Sequence, residues 1–352
     1  KIVNLQSSII DVHHAGTAMR FLTAFFAIQE NREIVLTGSS RMKERPIKIL
    51  VEALKQLGTE ITYEEKEGFP PIRIKGKKIT KNKVSLKADV SSQYISALLL
   101  IAPKLENGLE LTLEGEITSI PYIKMTLALL KEIGVETSFE NNKISVCHAE
   151  LVSASKFKIE SDWSSASYFY SIIALSEIGT QITLSNYKQN SLQGDSALAE
   201  IYKDFGVETI FNDNKSITIS KNNNSQLTIH NSQLNNSPDI AQTIAVTCFG
   251  LGIGCHLTGL HTLKIKETDR LEALKTELTK LGAIVSVTND SLTIEQSNNL
   301  IIESSINTYQ DHRMAMAFAP LALKTTLVIN EAEVVSKSFP TFWEDLKAIG
   351  FK

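Results

Sequence analysis

The sequence predicts an α/β fold assembled from five tandem copies of one unit of about 70 to 75 residues. Three observations carry that reading. An amphipathic helix recurs with a glycine at its end, at Gly58, Gly134, Gly206, Gly282 and Gly350, spaced by 76, 72, 76 and 68 residues. A second helix type alternates with it, opening on small or polar residues and then turning apolar throughout. Its register marks Gly16, Ser92, Ser165, Ile240 and His312 are spaced by 76, 73, 75 and 72 residues. Short alternating runs, EIVLTG, IRIKG, LELTLEG, ITLSN and SITIS, read as strands between the helices.

The first copy opens with IIDVHHAGTAMRF. Gly16, with Ala15 and Thr17, starts a buried helix, where a residue without a Cβ admits a ligand close to the backbone or simply allows tight packing. Arg20 falls within the first turns of that apolar helix, where an unpaired guanidinium is costly. The tandem His13-His14 has no third ligand at regular spacing, so it predicts no metal. RMKERP follows, and Pro46 is suited to the first position of the next helix, which puts Arg45 at its N-terminal end. In the second copy Ser91-Ser92-Gln93 and Ser119, before Pro121-Tyr122, are donor-rich helix starts. In the third, Ser164 and Ser165 read as caps. Asp239 and Asp311 open the buried helices of the fourth and fifth copies, as caps or as a base.

The stretch KIKETDRLEALKTELTKLGA carries the plainest helix. Leu271, Leu274, Leu278 and Leu281 form one apolar face, Thr268 or Asp269 caps the start, and Gly282 follows the last turn. Lys266 and Arg270 sit where the helix dipole is positive, answered in part by Glu267 and Asp269. The same misplacement recurs. Arg45, Arg270, Arg313 and Lys337 all stand at helix starts, the last before a helix opened by Ser338 and Pro340. Four such cations are best explained as converging on a phosphate and a carboxylate. Two segments, 146–157 and 222–237, read as exposed loops, which makes His148 and His230 poor candidates for chemistry.

Composition excludes several classes. The chain has 352 residues, 43% hydrophobic and 21% charged, which suits a globular protein of two or three domains. A net charge of −3 argues against a nucleic-acid partner, and no apolar run reaches membrane-spanning length. Cys147, Cys248 and Cys255 form no CxxC pair, which reads as reduced thiols in a cytoplasmic protein.

The motifs AGTAMR, RMKERP, VSSQ, SIPY, KETDR, DHRMAM and SKSFP occur in this order from about Asp11 onward. Together they resemble the family of 3-phosphoshikimate 1-carboxyvinyltransferases, the 5-enolpyruvylshikimate-3-phosphate synthases. The resemblance implies the two-domain enolpyruvyl transferase fold, an inside-out α/β barrel of six βαβαββ units, of which five are visible. It places domains at 1–157 and 158–352 and a further unit before residue 1, with a lysine, serine and arginine motif that has no counterpart here. It implies transfer of the enolpyruvyl group of phosphoenolpyruvate to the 5-hydroxyl of shikimate 3-phosphate, with no metal or organic cofactor, in a cytoplasmic monomer of the shikimate pathway. By motif position, Gly16, Arg45, Gln93, Arg270, Arg313 and Lys337 would surround phosphoenolpyruvate. Ser91, Ser92, Gln93, Ser119, Tyr122, Asp239 and Lys266 would hold shikimate 3-phosphate, with Arg20 in support. Asp239 would act as base, Glu267 as proton donor, and Lys337 on the leaving phosphate, in a site that closes between domains. His14, Phe21 and Thr262 depart from the asparagine, proline and asparagine common in relatives. Two alternatives stay open. The sister UDP-N-acetylglucosamine 1-carboxyvinyltransferase shares the architecture but carries a reactive cysteine on a mobile loop, whereas no cysteine here stands beside the basic motifs. An inactive anion-binding remnant is the other.

Overall fold

A computed structural model of the protein describes residues 8–88, 91–115, 117, 120–149, 159–224, 226–298, 300–301 and 303–351. The chain divides into two compact units, Lys1–Lys158 and Ile159–Lys352, each with its own apolar core.

In the first unit, strand β1 (Ser8–Asp11) leads through helix α1 (Gly16–Ala27) to β2 (Glu33–Thr37). A short helix α2 (Ser40–Lys43), helix α3 (Lys48–Gln56) and strands β3 (Glu60–Tyr63) and β4 (Ile72–Lys75) complete the repeat. The strands form one sheet in the order β1-β2-β4-β3. The β1–β2 pair is parallel, because a helix connects them, and the other pairs are antiparallel. The pattern then repeats through β5 (Lys83–Lys87), α4 (Ser92–Ile101), β6 (Leu109–Glu114), α5 (Ile120–Glu132), β7 (Thr137–Glu140) and β8 (Lys143–Val146). Its sheet has the same order, β5-β6-β8-β7. Helix α4 packs on both α1 and α5, and its apolar residues apart from Leu100 are buried accordingly. Helix α3 instead buries one stripe, Leu50, Val51, Ala53 and Leu54.

The second unit contains α6 (Trp163–Leu175), β9 (Gln181–Ser185), α7 (Leu198–Ile201), β10 (Val207–Phe211) and β11 (Ser216–Lys221). A complete repeat follows: β12 (Ile229–Gln233), α8 (Ala241–Gly250), β13 (Gly254–Thr258), α9 (Arg270–Lys280), β14 (Val285–Val287) and β15 (Ser291–Ile294). Last come β16 (Ser304–Ile306), α10 (His312–Phe318), β17 (Leu327–Ile329) and α11 (Phe342–Ala348). The order β12-β13-β15-β14 repeats that of both sheets of the first unit, and β10-β11-β9 and β16-β17 are partial versions of it. All of α6 except Ser165 is buried, as are residues 241 to 249 of α8. Hydroxyls let these two helices touch without leaving polar groups unmatched: Ser167 meets Thr243 at 2.9 Å and Thr247 donates to Ser171 at 2.8 Å.

Several local expectations change. The segment ending at Gly206 is not one helix but a 3-10 turn (Gly194–Ala197), α7 and a second 3-10 turn (Tyr202–Phe205). The tighter turn sets Tyr202 and Phe205, three residues apart, on the same buried side. The polar run 222–237 is not all loop. Residues 229–233 form an edge strand parallel to β13, and His230 is buried against Asp204 at 3.2 Å. Pro46 stands before α3 rather than at its first turn, since Ile47 is the cap residue. Lys337 ends a 3-10 turn (Ala332–Lys337), and α11 starts only at Phe342, so Ser338 and Pro340 do not open it. Asp162, not Ser164 or Ser165, caps α6, accepting from the Ser164 amide at 3.0 Å.

Candidate active site

In the first unit the predicted residues gather at the N-terminal ends of α1 and α4. Ala15 offers α1 no side-chain cap, so the start of that helix keeps backbone donors for another partner. A Cβ on Gly16 would lie 2.6 and 2.8 Å from the two terminal nitrogens of Arg45 and 2.9 Å from Nη1 of Arg20. Glycine here therefore lets two guanidinium groups lie over the helix start. Arg20 is buried and anchored: Nη1 donates to the Gly16 carbonyl at 3.0 Å and Nη2 to the Pro46 carbonyl at 3.3 Å. The Tyr94 hydroxyl donates to that same carbonyl at 2.6 Å, tying α4 to the segment carrying Arg45. Gln93 Nε2 donates to Thr17 Oγ1 at 3.0 Å, so Gly16, Arg45 and Gln93 are neighbours. Ser91 caps α4 by accepting from the Gln93 amide at 3.3 Å. Ser96 and Thr126 are 2.9 Å apart, a contact that joins α4 to α5, the helices that carry Ser92 and Tyr122. Ser119 lies outside the described residues.

The second unit holds a denser cluster. Arg270, the first residue of α9, is 2% exposed. Its Nε donates to Asp311 at 2.7 Å, Nη1 to Asp239 at 2.8 Å and Nη2 to Glu267 at 2.9 Å. Asp269 caps α9, accepting from the Leu271 and Glu272 amides at 3.1 and 3.2 Å, which fixes where Arg270 leaves the backbone. Asp311 caps α10, accepting from the Arg313 amide at 2.9 Å. Around this frame the remaining cations make longer pairs. Lys266 Nζ is 3.6 Å from Asp239, Lys337 Nζ is 3.6 Å from Glu267, and Arg313 Nη2 is 3.5 Å from Asp239. Arg313 also donates from Nη1 to the Asp239 carbonyl at 3.3 Å and from Nη2 to Ser164 Oγ at 3.4 Å.

These distances sort the cations. Arg270 is locked into short, geometrically good bonds and organises the acids. Lys266, Arg313 and Lys337 stand 3.5 to 3.6 Å from Asp239 and Glu267, close enough to serve those carboxylates or a ligand anion. Burial would push the Asp239 carboxyl up, but Lys266, Arg313 and Arg270 outweigh it and hold the group well below the usual carboxylate range. Burial and the adjacent Arg313 push His312 the other way for an imidazole, down to about 3, so it is neutral at pH 7.

Two residues escaped the sequence reading. Asp195 is 1% exposed and accepts a hydrogen bond from Ser164 Oγ. Burial and the neighbouring Asp239 raise its carboxyl to about 6, against the pull of Arg313. Nothing in SLQGDSALAEI marks that aspartate as inward-facing, because it stands in a polar run at the edge of a helical pattern. The sequence marks His312 only by its place in the repeat. Among the described residues no group of three or more His, Cys, Asp or Glu is placed to hold a metal ion, and no helix is long and apolar enough to cross a membrane. Cys248 and Cys255 are buried and Cys147 is exposed, all three as free thiols.

Repeated βαβαββ units that set mixed cations and carboxylates at helix starts define the class of enolpyruvyl transferases. The model of the EPSP synthase family, 3-phosphoshikimate 1-carboxyvinyltransferase, matches residues 2–346, and the chain belongs to this family. It is 46% identical over 348 residues to a 3-phosphoshikimate 1-carboxyvinyltransferase of Bacteroides fragilis, covering 98% of this chain and 84% of the relative. It is 37% identical over 356 residues to one of Haemophilus influenzae, covering 99% and 81%. Among solved structures, EPSP synthase from Acinetobacter baumannii superposes with a TM-score of 0.73 at 23% identity, over 97% of this chain and 78% of that one, a likeness of fold.

Proposed function

We infer that this chain carries the reaction of its family, transfer of the enolpyruvyl group from phosphoenolpyruvate to the 5-hydroxyl of shikimate 3-phosphate with release of phosphate. The observation that carries the assignment of roles is the sorted cluster around Asp239. Several cations converging on one cluster suit anions that must be bound and later released, and Arg270, with short bonds to three carboxylates, keeps the acids in place.

The 5-hydroxyl oxygen bonds to C2 of phosphoenolpyruvate as its proton leaves, and a proton is added at C3. The resulting tetrahedral intermediate loses that C3 proton and phosphate to give the enol ether. Asp239 takes the hydroxyl proton. Its low basicity in the unliganded site comes from Lys266, Arg313 and Arg270. Bound phosphate and carboxylate engage Lys266 and Arg313 and restore the basicity when substrate is present. Glu267, 3.6 Å from Lys337 Nζ, exchanges the C3 proton, and Lys337 stabilises the departing phosphate. Gly16, Arg45, Gln93, Arg313 and Lys337 receive phosphoenolpyruvate. Ser91, Ser92, Tyr122 and Lys266 receive shikimate 3-phosphate, with Ser119 assigned by motif alone. A cytoplasmic setting suits three free thiols.

Phosphate release from phosphoenolpyruvate tests the reading, with shikimate 3-phosphate or UDP-N-acetylglucosamine as acceptor. Release that depends on shikimate 3-phosphate alone is expected. Release with the nucleotide sugar, or with neither, would refute it.

A further inference from the structure

We propose that Asp195 is a positioning residue for Arg313, acting through the hydroxyl of Ser164. Asp195 lies in the 3-10 turn Gly194–Ala197, and Ser164 lies in the first turn of α6. Both are buried, at 1% and 7% exposure. Ser164 Oγ donates to Asp195 Oδ2 and accepts from Arg313 Nη2 at 3.4 Å. The direction of this chain follows from the chemistry of its ends. An ionised carboxylate only accepts and a guanidinium only donates, so the single hydroxyl proton must point to Asp195 and the oxygen lone pairs to Arg313. The other side of Arg313 is held by the Asp239 carbonyl at 3.3 Å and the Asp239 carboxylate at 3.5 Å. Without an acceptor-only group behind it, Ser164 no longer has a fixed polarity, and the guanidinium swings toward Asp239. That takes it off the anion it is assigned to bind.

The charged and titratable groups facing Asp195 are Asp239 from the turn before α8, Arg313 from α10 and Asp162 at the start of α6. Asp239 is held ionised by its three cations, so Asp195 is the member of this set that gains a proton near pH 6. Protonated Asp195 can itself donate to Ser164, and the enforced direction is lost. Phosphoenolpyruvate binding should therefore weaken as pH falls through about 6, while shikimate 3-phosphate binding, assigned to other side chains, should not.

This inference rests on the proposed function for its kinetic readout. Asp195→Asn keeps the volume and a hydrogen bond but removes the acceptor-only end. The KM for phosphoenolpyruvate should rise about tenfold with kcat within about threefold. The KM for shikimate 3-phosphate should be unmoved, and the acid limb of the phosphoenolpyruvate KM profile should flatten. Ser164→Ala should give the same rise, and the double variant no more than either single one, because both cut one chain. Multiplicative effects of the two changes, or an unchanged phosphoenolpyruvate KM and pH profile in Asp195→Asn, would overturn the proposal. If the unaltered chain shows no turnover, the assigned function fails instead. The positioning claim is then read from the guanidinium signals of 15N-arginine-labelled full chain, with Arg313 identified by its loss in Arg313→Lys. A signal protected from exchange in the unaltered chain and broadened in Asp195→Asn supports it. A signal that Asp195→Asn leaves unchanged overturns it.

Discussion

Arg270 bridges three carboxylates from inside the second unit, and one of them, Asp311, has no exposed surface. Removing the guanidinium leaves buried charge uncompensated, so Arg270→Ala should cost about 3–5 kcal/mol of folding stability, measured by urea denaturation. Adding Asp311→Asn should return part of that loss; a cost below about 1 kcal/mol for Arg270→Ala would contradict the bridging role. His312 gives a pH signature. Its folded pKa of about 3 lies below the ordinary imidazole value of 6.5, so between those values the unfolded chain binds a proton that the folded one refuses. Stability from this residue is complete above about 6.5 and is lost as pH falls toward about 3. His312→Asn should flatten the stability profile in that window, and an unchanged slope would show the imidazole accepting its proton in the fold. At this scale Arg270 and Arg313 were legible, because each stands in the first turn of a helix against the dipole rule, whereas Lys337 ends a 3-10 turn and Arg45 lies ahead of the Ile47 cap of α3, so the rule does not describe them. The bridge from Arg270 to Asp239, Glu267 and Asp311 was not legible, because it joins residues up to 41 positions apart.

Helix starts do the positioning, so their local chemistry should control the site more than the stability of the whole. Gly16→Ala would press a methyl to within 3 Å of Arg45 and Arg20 side-chain nitrogens. These are the far ends of flexible side chains, so the arginines move rather than the backbone. The expected result is a melting temperature within about two degrees of the unaltered chain and a phosphoenolpyruvate KM raised several-fold. A large loss of stability with an unchanged KM would mean that the glycine serves packing alone. Asp269→Ala removes the cap of α9 and should cost about 1 kcal/mol, read from the urea midpoint. Long elements with strong periodicity were readable: α9 buries Leu271, Leu274 and Leu278, and Gly282 follows it at φ 99°. Elements whose shape is set by distant partners were not. Buried Asp195, Tyr202 and Phe205 divide 194–205 into short turns, and β12 is too polar to announce itself until β13 pairs with it.

Across the molecule, one strand order recurs in three sheets and in part in two more. The recurrence accounts for cations at helix starts in separate copies: Arg270 opens α9 in the fourth and Arg313 lies in the first turn of α10 in the fifth. Ligands that bind only the folded form add stability by mass action. Shikimate 3-phosphate at about 100 times its Kd should therefore raise unfolding free energy by about 2.7 kcal/mol, detectable as a shift in melting temperature. Absence of any shift would exclude the acceptor assignment. The repeat number and the order of motifs were both legible in the chain, whereas the sheet order needed the pairing itself.

The most direct measurement is steady-state turnover of Asp239→Ala with both substrates varied. Asp239 is where Lys266, Arg270 and Arg313 converge, and the account makes it the base for the attacking hydroxyl. It predicts a fall in kcat of at least about a hundredfold, with the KM for phosphoenolpyruvate changed by less than about threefold. An unaltered kcat would contradict it.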